Sequence, residues 1–503
     1  MPQRHGLSKS RIALYEQCPR RLWLSVHRPD LSEQTAAVTA SFAAGHRVGA
    51  IACALHPDGH MINEAQSLSA AIDETSALLT SGWDKPIFEA SFVHDEVVVR
   101  VDLMLPTSGG WHVAEVKSTS SAKLYQLSDL ATQLWVLREA GVPVASASIR
   151  HLDGSFTLSR EGDYAGLFAD HMVHDTLEPL IAERPRLVAE ARAMLDGEEP
   201  EREIGAHCND PFTCSFQHHC GRNLPPGPEW PSSILPDTSG KKIAAHYADQ
   251  GIDDLTLIPA SAMISPKLAR VHAATVSGET WHEAAAIRAE TDKWPYPHIY
   301  LDFETIAFAV PRWIGTRPWQ QVPFQFSALV VHEDGTPEQH DYLSLDGSDP
   351  RRGCAQGLAL LPATGAVIAW NASFERTCLN TLAARFADLA PALTRLAARL
   401  VDLLPVVRNH YYHRDQRGSW SIKAVLPTIA PELGYDGLAE VKSGTDAQSG
   451  YLEAIHPDTT PQRRTAIEAA LLSYCRRDVE AMWVIKERLG EPPPSADEPA
   501  PII

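Results

Sequence analysis

The sequence predicts an α/β fold in two main domains, and three observations carry that expectation. Its 503 residues exceed what one hydrophobic core usually organises. Strand-like and helix-like segments alternate in two runs, parted by Gly221-Arg-Asn-Leu-Pro-Pro-Gly-Pro-Glu-Trp-Pro-Ser-Ser, whose Pro, Gly and Ser content marks a linker. Each run holds an apolar strand with charged residues two apart, Glu115-Val-Lys117 in the first and Asp302-Phe-Glu304 in the second. The expected division is a first domain over 1–225, a linker and small helical region over 226–296, a second domain over 297–490, and a Pro-rich tail over 491–503 expected to be disordered.

In the first domain Ser8 is placed to cap a helix through Arg11-Ile-Ala-Leu-Tyr-Glu-Gln, which delivers Cys18 at its end. A second helix is expected from about residue 34 to 55. Residues 87–93 and 97–105, joined by His94-Asp-Glu, read as a hairpin, and 111–117 as a third strand. A helix follows over 129–140, stopped by Gly141 and Pro143, and 144–150 is a further strand. Residues 241–290 are helical in pattern, with a short helical hairpin around 250–255. The second domain should open with a strand over 298–305, followed by strands near 323–331 and 339–345. Residues 366–375 read as a strand running into a helix, and a last helix contains 472–482.

Composition narrows the function. A formal charge of −19 excludes indiscriminate coating of nucleic acid, which needs a basic surface, but leaves room for a local basic groove. No apolar run is long enough to span a bilayer, and no hydrophobic segment follows the basic residues of the first eighteen. Neither export nor membrane insertion is expected, and the compartment expected is the cytoplasm. Eight cysteines are too few for a secreted disulfide scaffold, and a clustered set in a reducing compartment binds metal. Cys53, Cys354, Cys378 and Cys475 fall outside the cluster and read as small buried hydrophobes.

Two apart on a strand, Glu115 and Lys117 project from one face. Asp102, thirteen residues before Glu115, can share a divalent cation with it, while Lys117 can orient a water or neutralise a phosphorane. Around this core stand Cys18 on one side and Cys208, Cys214 and Cys220 on the other, four thiols that meet only when the chain closes on itself. With Asp102, Glu115-Val-Lys117 and Gln133 on the following helix, the segment resembles the PD-(D/E)XK superfamily, specifically RecB-type nucleases. The resemblance implies a restriction-endonuclease-like domain, phosphodiester hydrolysis with Mg²⁺ or Mn²⁺, and site roles for Gln133 and for Glu89, which matches an acidic position before the Asp. It departs at Leu137, where the family has tyrosine, and at the preceding helix, where His46 or Gly49 stands at the family's metal-binding histidine. One cysteine before the core and three after it resembles the iron–sulfur subgroup of these nucleases, which implies a 4Fe-4S cluster on Cys18, Cys208, Cys214 and Cys220. The two gaps of five residues differ from the usual C-x-x-C pair, so zinc, with His207, His218 and His219 as extra ligands, is the alternative.

In the second run Asp302 and Glu304 share a strand face, and Tyr474 stands one helical turn before Asp478. This resembles the DEDD exonucleases of the RNase H-like fold, in the subtype with tyrosine in the third motif. The resemblance implies that Asp302, Glu304, Glu375 and Asp478 hold two metal ions, that Asn371 accompanies Glu375 in the second motif, and that Tyr474 orients the attacking water. Glu375 departs from the family's Asp. Asp402 reads as structural, and Lys423 as a solvated helix residue with phosphate contact as the alternative. The loop over 311–321 mixes arginines with Trp313 and Trp319, the ingredients of single-strand stacking, though packing under a lid explains them equally. The combination also resembles an uncharacterised bacterial family known only as a domain of unknown function. Together these readings imply a metal-dependent nuclease with two centres, acting on nucleic acid with DNA favoured, and working with a helicase or in repair or defence. The competing expectation is a DNA-binding scaffold whose sites have decayed and whose cluster or zinc is structural.

Overall fold

The computed structural model describes residues 6–33, 36–63, 66–173, 176–438 and 440–491, so the Pro-rich tail from 492 onward lies outside the described residues. The chain divides into two units, Met1–Leu224 with Ala307–Gln320, and Pro225–Ile306 with Gln321–Ile503. Both are α/β.

The first unit is built on a sheet in the order β2-β3-β4-β5-β6-β7, with β1 beside β4. Its strands are β1 (Leu7–Ser8), β2 (His60–Met61), β3 (Ile87–His94), β4 (Val97–Thr107), β5 (Gly110–Lys117), β6 (Val144–Leu152) and β7 (Phe168–Met172). Strands β3, β4 and β5 form an antiparallel meander, and β6 returns parallel to β5. A parallel return needs a crossover, supplied here by α5 (Leu124–Glu139), which is buried without interruption from Leu130 to Leu137. Gly110 permits the tight start of β5: it sits at φ +126°, and a Cβ there would run into the carbonyl of Pro143. The remaining helices are α1 (Lys9–Gln17), α2 (Pro19–His27), α3 (Ala36–Ala54), α4 (Leu68–Thr80), α6 (Glu178–Leu195) and α7 (Gln217–Gly221). Ser8 caps α1 by accepting from Arg11 N at 3.3 Å, and Cys18 is its C-cap. One core gathers Val97, Val99 and Val101 of β4 with Val113, Leu130, Val136 and Ile149, so the alternation along β4 becomes burial.

The second unit begins with α8 (Asp237–Ala248), α9 (Pro266–Ser277), β8 (Trp281–His282) and α10 (Ala284–Thr291). It continues with β9 (His298–Ala307), β10 (Gln321–Val331), β11 (Pro337–Leu343), α11 (Arg351–Ala359), β12 (Ala366–Ala369), α12 (Ser373–Arg385), α13 (Ala390–Ala398), β13 (Leu400–Asp402), α14 (Leu403–His410) and β14 (Tyr411–Tyr412). Helices α15 (Ile422–Val425), α16 (Gly444–Ala454) and α17 (Pro461–Gly490) complete it. The sheet order is β11-β10-β9-β12-β13, with β11 antiparallel to β10 and β12 parallel to both β9 and β13. Its central strand is β9.

Two segments fall elsewhere than the sequence suggests. The stretch read as a linker with small helices, 226–296, is an integral part of the second unit: Leu268, Val271 and Ile287 are fully buried, α10 packs against α14 and α17, and β8 pairs with β14. Residues 307–320, read as part of the second domain, belong to the first unit, where Ala309 and Val310 join a core with Val48, Leu152 and Leu167. Burial of apolar side chains decides both assignments, and punctuation by Pro and Gly does not report it. No helix among the described residues is long and apolar enough to cross a membrane.

Candidate metal centres

In the second unit, β9 carries Asp302 and Glu304 on one face and α17 brings Asp478 to them. Ligand oxygens of the three all lie within 4.8 Å of one another, and no other His, Cys, Asp or Glu group of that size and spacing occurs among the described residues. Burial, and then the neighbouring carboxylates Asp478, Glu304 and Glu375, push Asp302 well above the usual carboxylate range. Burial and Asp478 raise Glu304 to about 8. Asp478 is pushed up to about 6 by burial, against the hydroxyl of Tyr435, which donates to its Oδ1. Glu375, in the first turn of α12, is 3% exposed; burial raises it to about 8, and its Oε2 has no hydrogen-bond partner. An orphaned carboxylate oxygen beside three crowded acids leaves charge and lone pairs that a cation could take up.

The motif-two pair divides. Glu375 acts on Asp302, whereas Asn371 is exposed at φ +72° and accepts from Ser373 Oγ at 3.0 Å. Asp402 accepts from Asn371 N, Ala372 N and Leu404 N at 3.0–3.1 Å and so fixes the turn into α12, as its structural reading implies. Lys423, read as solvated, is instead a site residue. Its ammonium donates to Tyr474 OH at 2.9 Å and lies 4.7 and 5.1 Å from the ring centroids of Tyr474 and Tyr435. Tyr435 escaped the sequence reading because it stands among one-turn 3₁₀ helices (Pro431–Leu433, Tyr435–Gly437) without periodicity. Cys475, read as a small hydrophobe, sets its Sγ 3.5 Å from Asp302 Oδ2.

In the first unit, Glu89, Asp102 and Glu115, thirteen residues apart in succession, come abreast on β3, β4 and β5. The ladder pairs Phe88↔Leu103 and Ala90↔Val101 around Glu89, which is held at φ +55°, and Leu103↔Ala114 beside Asp102 and Glu115. Past that pair the strands separate, and the Asp102 side chain takes the Val116 N–H at 2.7 Å. Glu115 is 1% exposed. Its Oε1 meets Lys9 Nζ at 2.7 Å and Lys117 Nζ at 2.8 Å, and its Oε2 accepts from Lys9 at 2.8 Å and Gln133 Nε2 at 2.5 Å. Burial would raise Glu115, but Lys117 and Lys9 outweigh it and hold it below the usual carboxylate range. Asp102 goes the other way, to about 6, through burial and then Glu115. Lys117 also reaches Asp129 at 3.2 Å. Lys9 and Asp129 were not singled out from sequence; the signal for Asp129 was its place one turn before Gln133 on α5. From α3, Cys53 responds to Glu89 and Asp102, being pushed up to about 12 by burial and then by those charges, while His46 is exposed. Trp313 is buried edge-on against Phe308. Trp319 is 42% exposed, with its indole N–H on Ser118 O at 2.7 Å, one residue past Lys117.

Cys18, Cys208, Cys214 and Cys220 line one small cavity, of about 10 Å³, together with Arg20, Arg21, Arg202 and His207, and all four are free thiols. Gln17 ties the distant ends of the unit together, donating to His207 O at 2.8 Å and Phe212 O at 2.6 Å, and Cys214 N donates to Cys208 O at 2.7 Å. Burial raises the thiols of Cys214 and Cys220. Of the three histidines offered as extra ligands, only His207 lines the cavity; His218 is exposed beside Glu33 and His219 contacts Arg222.

The family described as a domain of unknown function, DUF2779, matches residues 299–421. That stretch takes in Asp302, Glu304, Glu375 and Asp402 and ends before Lys423, Tyr474 and Asp478. No curated protein matches the chain.

Proposed function

We propose that this protein is a metal-dependent nuclease hydrolysing phosphodiester bonds in DNA, with its principal centre in the second unit. The observation that carries the reading is the convergence of Asp302, Glu304 and Asp478 within 4.8 Å, with Glu375 buried beside them. Carboxylates so crowded and desolvated must take up protons or share a multivalent cation, and an all-oxygen donor set suits Mg²⁺ or Mn²⁺. Such an ion would supply Lewis acidity at a phosphoryl oxygen and an acidified water. The sheet order and the Tyr474 to Asp478 spacing support an RNase H-like, DEDD-type domain, which favours exonucleolytic action. Lys423 anchors the Tyr474 phenol from one side, placing that hydroxyl to orient a water. Tyr435 occupies one oxygen of Asp478 and thereby aims the carboxylate.

The abreast positions of Glu89, Asp102 and Glu115, with Lys117 and Gln133 on the last of them, support a second, PD-(D/E)XK-type centre. The four thiols that line one cavity, ringed by arginines that offset thiolate charge, are the donor set of a 4Fe-4S cluster. No three of them, with or without His207, are drawn to the closer spacing of a zinc site, which makes zinc the weaker alternative. A second reading applies to the first unit alone. Because two lysines already neutralise Glu115 and its carboxylates are not drawn to ligand spacing, it also fits a DNA-binding scaffold without chemistry. A helicase or a repair or defence partner is what the RecB-type resemblance suggests.

The test is degradation of end-labelled single-stranded DNA by anaerobically purified protein with Mg²⁺ or Mn²⁺. Asp302→Asn should remove exonucleolytic products, and Asp102→Asn should remove any remaining cleavage. Wild-type protein inert with both ions on every DNA and RNA form would sink the reading.

A further inference from the structure

Among the described residues, the Lys9 ammonium makes two hydrogen bonds and both go to Glu115, at 2.7 Å to Oε1 and 2.8 Å to Oε2. Lys117 shares Oε1, and Gln133 shares Oε2. A carboxylate so enclosed has little lone-pair direction left, and two ammonium charges repel any further cation approaching it. For Asp102 and Glu115 to hold a divalent ion, one lysine would have to leave. Lys117 keeps Asp129 when it gives up Glu115, whereas Glu115 is the acidic partner of Lys9 at hydrogen-bond distance. Lys9 is also badly placed for its helix. It is the first residue of α1, directly after the Ser8 cap and with no acidic residue in the first turn, where the exposed N–H groups disfavour positive charge. The helix gains nothing from it there; the site does.

We propose that Lys9 is a phosphate-binding residue of the first centre, held on Glu115 in the place of the divalent cation and released to a substrate phosphate when the cation arrives. The proposal rests on the nuclease reading of the first unit. Its ammonium, a compact charge with three donors on a flexible stem, suits a phosphate oxygen, and the side chain retains 19% exposure through which to turn.

The full chain carrying Asp302→Asn and Asp478→Asn isolates the first centre. Mn²⁺ affinity is measured by calorimetry, and binding of a labelled single-stranded oligonucleotide by anisotropy in Ca²⁺. Lys9→Met and Lys9→Gln should bind Mn²⁺ roughly five- to a hundredfold more tightly, the usual span of coupling between two binding events. Both should bind the oligonucleotide more weakly, with the slope of log K against log salt reduced by about 0.7, one phosphate contact. Lys9→Arg should resemble wild type in both. Unchanged or weaker Mn²⁺ binding in variants that melt like wild type overturns the displacement. An unchanged oligonucleotide affinity and salt slope overturns the phosphate contact. Failure of the nuclease reading looks different: the wild-type chain cleaves nothing while the Mn²⁺ shift persists, which upholds the displacement and leaves a binding site without chemistry.

Discussion

On the proposed reading, Tyr474 and Glu375 would separate chemistry from metal holding in the second unit. Tyr474 is anchored by Lys423 and meets Asp478, so Tyr474→Phe removes a hydroxyl and no carboxylate. The expected outcome is a fall in cleavage rate of about 10²-fold or more with Mn²⁺ affinity unchanged, read from single-turnover kinetics beside calorimetry. Glu375 has one methylene more than the Asp of the resembled motif, yet its carboxylate acts on Asp302 and leaves Oε2 unpaired. Glu375→Ala should therefore damage 3′-to-5′ degradation as severely as Asp302→Ala. Undiminished activity would remove Glu375 from the ligand set. In the first unit Lys117→Ala should stop cleavage while metal still binds, and Asp102→Ala should lose both.

Helix α1 is the element on which the first unit turns. Lys9 at its start lies on Glu115, and Cys18 at its end lines the thiol cavity, so one rigid segment spans from the charged site to the cysteines. Nine residues of α-helix make this span about 13 Å. Because Cys18 is far in sequence from Cys208, Cys214 and Cys220, a group shared by the four closes a loop of nearly the whole unit. Brown protein absorbing near ~400 nm is expected from an iron–sulfur cluster. Cys18→Ser should bleach it and lower the melting temperature of the first unit. Stoichiometric zinc without iron would replace the cluster, and neither metal in anaerobic protein would end the assignment.

For the whole molecule, the crowded acids of the second unit make stability depend on pH and cation together. Glu304 and Glu375 have an ordinary value of 4.5 and are raised to about 8 by burial, so folding favours their protonated forms. That contribution is complete below about pH 4.5 and is lost as pH rises through about 8. Chelated protein should thus melt progressively lower from pH 5 to 8.5, and Mg²⁺ should restore most at the alkaline end, where the carboxylates are free to bind it. A hundredfold excess over Kd contributes about 2.7 kcal/mol, or about 5–10 °C for a unit of this size. Melting curves with EDTA or Mg²⁺ across that range check it, and an Mg²⁺ effect that shrinks with rising pH would contradict the assignment.

What the sequence determined by itself is the local order. The hairpin of β3 and β4, the third strand, the crossover α5 and the acidic strand β9 follow from two- and 3.6-residue periods, and the period also tells which side chains share a face. Asp102, Glu115, Lys117 and Gln133 were legible for that reason, as were Asp302, Glu304, Tyr474 and Asp478. Only the tertiary structure decided which distant groups meet them. Lys9 reaches Glu115 from 106 residues away, and Tyr435 and Lys423 close on Asp478 and Tyr474 from irregular or short elements. Likewise 226–296 and 307–320 took their places through buried side chains that no punctuation announces. Periodicity is a property of neighbours along the chain, whereas charge compensation and burial belong to neighbours in space, which only the closed fold defines.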